Sequence, residues 1–144
     1  ELHALENVRS VLDQETTSEK ESLIISIRWR ARALRGHESE IDRFLRFWIA
    51  LEVLVEGEGQ KLVDKVTLKL KGLYPRIDEQ KIKRIVGPIY GMRGNIVHQG
   101  IHCPQDLTQE LIQLECIYDD LLKEKLGIEP NHSSNEHFVK FNEL

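Results

Sequence analysis

The sequence predicts an all-α domain. Apolar residues recur at three- and four-residue intervals through most of the chain, and no stretch alternates with period two for long enough to make a strand. The patterned stretches are separated by Gly, Pro and capping residues, where helices stop and start. With 144 residues, 40% hydrophobic and 31% charged, the chain is long enough for one domain with its own core and too apolar to stay disordered.

Leu5, Val8, Val11 and Leu12 place an apolar stripe on a short first helix, before the polar break at Gln14–Thr17. Ser18 and Glu21 then have capping-box spacing, and Leu23, Ile24, Ile27 and Ala31 follow at helical intervals as far as Gly36. The next helix, about Glu38 to Glu56, is apolar round most of its circumference in its second half, which predicts a central element. Its aromatics Phe44, Phe47 and Trp48 read as core rather than as a base-stacking platform. Gly57 and Gly59 are expected to end it. Leu62, Val63, Val66 and Leu70 make a further amphipathic helix running to Gly72, before the Tyr74-Pro75 break.

Asp78 is placed to cap the following helix, where Ile82, Ile85, Ile89, Met92 and Ile96 step 3, 4, 3, 4 along one side. Gly87-Pro88 is expected to kink or restart it. Leu107, Leu111, Leu114, Tyr118, Leu121 and Leu122 mark a long last helix, with Pro104 in its first turn and a stop near Gly127. The expectation is a bundle of about five to six helices over residues 1–128, followed by a polar tail or linker over 129–144.

Charge and composition exclude several classes. A formal net charge of −4 argues against a protein that coats nucleic acid nonspecifically, although it leaves room for a small basic cleft. No apolar run approaches the roughly 20 residues of a membrane span, and Glu1-Leu2-His3-Ala4 lacks a secretory pattern, so a cytoplasmic protein without membrane contact is expected. The chain starts at Glu1 rather than Met, so a fused upstream domain is a further expectation. Two cysteines, Cys103 and Cys116, make no disulfide framework and are read as reduced thiols.

The segment Arg93-Gly94-Asn95-Ile96-Val97-His98 carries the chemistry. Arginine is a permanent cation whose planar fork matches phosphate, and histidine takes and gives a proton near neutrality. On an ideal helix, positions five apart lie about 140° from each other, so the pair does not form a same-face dyad. His98 instead shares its side with Gly87, Gly91 and Gly94, a strip without side chains. Each helical glycine costs about 1 kcal/mol relative to alanine, so such a strip calls for a close approach, by another helix, a second copy of the chain or a ligand backbone. Loosening of the helix end is the other explanation.

The Arg-x4-His segment closing on Ile96-Val97-His98-Gln99-Gly100, with Arg43-Phe44-Leu45-Arg46-Phe47-Trp48-Ile49-Ala50-Leu51-Glu52 upstream, resembles the HEPN superfamily, most of all its Apea-like branch. The likeness covers about residues 20–126. It implies a HEPN-like helical bundle that forms a two-fold homodimer, and a metal-independent endoribonuclease site built from both subunits' Arg93 and His98. Glu52, matching the acidic residue after Ala-Leu, is implied to orient one of them. Family members commonly place asparagine directly after the arginine, whereas here Gly94 holds that position and the amide is displaced to Asn95. The resemblance also implies a role in phage defence or a toxin–antitoxin pair, with an antitoxin partner.

Such residues permit attack of an RNA 2′-hydroxyl on the adjacent phosphorus, giving 2′,3′-cyclic phosphate ends without a cofactor. Lys83 and Arg84, just before the motif, are the candidate RNA contacts. The Lys61, Lys65, Lys69 and Lys71 series reads better as a solvated face. His98, His102 and Cys103 fall close enough together to raise a zinc site, but three ligands in one short loop lack a separated fourth, so no metal is assigned. The competing reading keeps the fold and drops the catalysis, leaving a dimerisation or RNA-binding module.

Overall fold

The computed structural model describes residues 17–36, 39–99 and 106–128, and these contain helices and no strand. The helices are α1 (Thr17–Arg35), α2 (Glu40–Val55), α3 (Gly59–Leu73), α4 (Glu79–Gln99) and α5 (Thr108–Lys125). The expected helix over Leu5–Leu12, the expected loop with His102, Cys103 and Pro104, and the expected tail over 129–144 all fall on residues outside the described ones.

Helix α2 is the hub, touching every other helix. It forms a long hairpin with α1 and lies along α5, while α3 and α4 form a second hairpin. Its composition explains the position: Phe44, Phe47, Trp48, Ala50, Leu51, Leu54 and Val55 are all buried. The aromatics anchor separate neighbours. Phe47 meets Tyr118 of α5 edge-on at 6.4 Å between centroids, and Trp48 meets Tyr90 of α4 at 6.0 Å. None of the three is a surface platform.

Local chemistry sets the helix ends. Ser39 caps α2, its hydroxyl accepting from the Asp42 amide at 3.3 Å. At the other end Glu56, not a glycine, takes the left-handed cap conformation (φ 52°), and Lys65 donates to its carbonyl at 2.7 Å. The two glycines that follow have other duties. A Cβ on Gly57 would meet the Leu62 backbone at 3.3 Å, and Gly59 opens α3 with a positive φ of 60°. Lys71 pins the α3–α4 turn by donating to the carbonyls of Pro75 and Ile77. Asp78 receives the Gln80 amide at the start of α4, as expected of a cap. Two arginines of α2, Arg43 and Arg46, donate to the carbonyls of Ala33 and Arg32 in the last turn of α1.

Two expectations for element position are revised. Helix α1 buries Leu23, Ser26 and Ala33, while Ile24 and Ile27 stay exposed, so its inner face is rotated from the one the isoleucines indicated. The reason is polar. The buried Ser26 hydroxyl donates to the Ala50 carbonyl at 2.7 Å and lies 2.9 Å from the Tyr118 hydroxyl, and Arg30 forms a two-pronged ion pair with Asp119. Helix α5 begins at Thr108, four residues beyond Pro104, because Glu40 of α2 receives the Leu107 amide and the Thr108 hydroxyl while Asp106 receives the Thr108 amide.

Candidate functional site

Helix α4 positions the Arg93–His98 segment. Ile82, Ile85, Ile89 and Ile96 are buried and Met92 packs against the core, so the 3, 4, 3, 4 stripe fixes which way the helix faces. The helix runs unbroken through Gly87-Pro88 rather than restarting there. Pro88 is exposed and the carbonyl it leaves without an N–H donor belongs to exposed Arg84, where water can serve. Packing of the isoleucines on either side holds the helix together across that gap.

Because α4 is continuous to Gln99, Arg93 and His98 stand on one helix about 140° apart. Arg93 is half-buried and His98 exposed, and neither side chain makes a hydrogen bond or ion pair among the described residues. The sector of helix between them holds Val97 and Gly94 near its C-terminal end. Val97 is 53% exposed, and a Cβ on Gly94 would meet nothing within 4 Å. The same openness holds at Gly87 and Gly91. No helix of this chain therefore occupies the glycine strip among the described residues.

Glu52 is engaged on its own helix. Its carboxylate receives the Trp48 indole N–H at 2.7 Å and makes no hydrogen bond to Arg93 or His98. Tyr90, stacked at a tilt on Trp48, connects that pair to α4 one turn before Arg93. Asn95 is exposed and falls about 60° from His98 around the helix, nearer to it than to Arg93.

Lys83 and Arg84 part company. Lys83 pairs with Glu79 at 2.9 Å, which raises its pKa through that hydrogen bond and then through the charge, and it faces the α3 side with Asp64 and Lys71. Arg84 instead joins Lys81, Ile85 and Pro88 of α4 and Gln109, Glu110 and Gln113 of α5 around a cleft of about 400 Å³. The sequence could not separate these neighbours, because the partner helix α5 is brought alongside only by the fold.

Among the described residues no group of three His, Cys, Asp or Glu side chains is gathered as a metal site, and no helix is long and apolar enough to cross a membrane. Cys116 is a free thiol, half-buried on α5, its pKa pushed up to about 11 by burial and then by nearby carboxylates. Comparison with protein-family models, curated proteins and solved structures found no match.

Proposed function

We propose that this chain is a metal-independent endoribonuclease of the HEPN type, acting as a two-fold homodimer. One observation carries the reading: Arg93 and His98 stand at the same end of α4 without side-chain partners among the described residues, flanking exposed Val97 and open Gly94. A phosphate-matching cation and a proton-transfer group are thus free to meet substrate, yet point too far apart to act on one phosphate from one protomer. A second α4 laid against Val97 and Gly94 brings the pairs together, and small residues permit such close helix contact.

In the reaction, His98 accepts the 2′-hydroxyl proton as the 2′ oxygen bonds to phosphorus. The bond to the 5′ oxygen breaks, and that oxygen takes a proton from the partner subunit's His98 or from water. Arg93 balances the charge that grows on the phosphoryl oxygens. Products are a 2′,3′-cyclic phosphate and a 5′-hydroxyl. The family likeness extends the proposal to a role in phage defence or beside an antitoxin.

The test is incubation of the purified dimer with labelled RNA in excess EDTA. Cleavage to cyclic-phosphate ends, abolished in His98→Ala, is expected; loss of cleavage in EDTA, or unchanged cleavage by His98→Ala, sinks the proposal. Gly94 in the place of the usual asparagine favours a second reading, a noncatalytic RNA-binding or dimerisation module. Under it neither wild type nor Arg93→Ala cuts RNA.

A further inference from the structure

The exposed side of α4 is as regular as its buried one. Arg84, Pro88, Gly91, Asn95 and His98 recur at alternating intervals of four and three, and every one of them is exposed. On a continuous helix Arg84 and His98 lie about 21 Å apart along the axis and within about 40° of one line. Between them the side chains are a proline ring, a hydrogen and an amide, so the line is low relief. A Cβ on Gly91 would meet nothing within 4 Å.

One end of this line opens into the α4–α5 cleft. Its polar lining is Lys81, Arg84, Gln109, Gln113 and one carboxylate, Glu110. The side chains of Lys81, Arg84, Gln109 and Gln113 make no hydrogen bond or ion pair among the described residues, whereas adjacent Lys83 is paired with Glu79. Two cations and two amides, in a chain whose net charge is −4, concentrate donors in a place where none of the described residues uses them. A phosphodiester offers the acceptors they lack.

We propose that the α4–α5 cleft binds the sugar–phosphate backbone of single-stranded RNA through Lys81, Arg84, Gln109 and Gln113, and that the strand runs along Pro88, Gly91 and Asn95 to His98. The inference rests on the ribonuclease reading for its destination, His98, and on the cleft alone for binding. It assigns substrate length: an RNA must extend about 20 Å from the cut phosphate to reach the cleft. Arg93 lies on the opposite side of α4 from Arg84, so a strand following this line meets its arginine from the partner subunit.

The experiment measures binding of a fluorescent ten-nucleotide RNA by anisotropy over a salt series, and cleavage of that RNA and of a dinucleotide. The proteins are wild type, Lys81→Ala/Arg84→Ala and Lys83→Ala. The double variant should bind at least tenfold more weakly, with a log K against log salt slope shallower by about 1.4 for two lost phosphate contacts on a single strand. Lys83→Ala should change neither. Cleavage of the dinucleotide, too short to span the cleft, should be equal in all three. A double variant that binds like wild type, or a wild type that binds no RNA, overturns the cleft. RNA bound through Lys81 and Arg84 but never cut leaves the cleft standing and removes the nuclease. All three substituted positions are exposed, so the variants should keep the fold, and helical circular dichroism checks it.

Discussion

Truncating His98 removes an imidazole that is exposed and unpartnered among the described residues, so activity and stability separate cleanly. His98→Ala should lower the cleavage rate by about 10²–10⁴-fold while moving stability by no more than about 0.5 kcal/mol. Rate assays beside urea unfolding check both, and a large stability loss would assign His98 to structure instead. Tyr74 is the opposite case. Its buried hydroxyl donates to Asp120, a carboxylate only 3% exposed. Tyr74→Phe takes that donor away and should cost about 2 kcal/mol. Burial first, and the Asp120 bond second, hold the Tyr74 hydroxyl far above its ordinary range. Because the folded value is raised, the fold gains full benefit below the unfolded value of about 10 and loses it as pH climbs. Unfolding free energy should therefore fall between about pH 9 and 11 in wild type, and less steeply in Tyr74→Phe. Cys116 and Tyr118, both also raised mainly by burial, and Lys83, raised by its bond to Glu79, contribute to the slope that remains. Equal slopes in the two proteins would remove Tyr74 from the account.

At the scale of the element, α4 combines a conventional buried stripe with an outer face poor in side chains. Gly91→Ala meets no steric obstacle, so removal of the helical glycine should stabilise the protein by about 1 kcal/mol. If a strand or a second helix lies against that face, the same methyl group should also reduce cleavage; a calorimetric melt beside the rate assay reads both, and a more stable, fully active variant would show the face is unused. The stripe itself was legible because 3.6-residue periodicity survives folding unchanged, as Ile82, Ile85, Ile89 and Ile96 demonstrate. The rotation of α1 was not legible. Its inner face is chosen by Ser26 and by the Arg30–Asp119 pair, whose partners lie more than eighty residues away for Tyr118 and Asp119, beyond any local pattern. For the same reason the start of α5 escaped prediction, since Glu40 of another helix fixes it. Glu52 was singled out only by the family resemblance, and its indole partner Trp48 is revealed only by geometry.

For the whole molecule, the described helices complete a core and leave Val97 and Gly94, between Arg93 and His98, without a helix packed on them among the described residues. A domain that had only to fold would gain by filling Gly91 and Gly94 with alanine, so their presence fits a face shaped for contact. The two-subunit proposal makes a sharper demand than dimerisation alone. Arg93→Ala and His98→Ala homodimers should each be inactive, the first lacking both arginines and the second both histidines. Mixed after co-unfolding and refolding, the two chains form heterodimers holding one intact arginine and one intact histidine on opposite protomers. If those residues act across the two-fold axis, statistical mixing places about half of the dimers in this form. Activity should then recover to a substantial fraction of wild type, in proportion to the heterodimer measured by native mass spectrometry. Heterodimers that form in that proportion yet cut nothing would confine the pair to one chain, and the 140° offset would then rule against a shared phosphate.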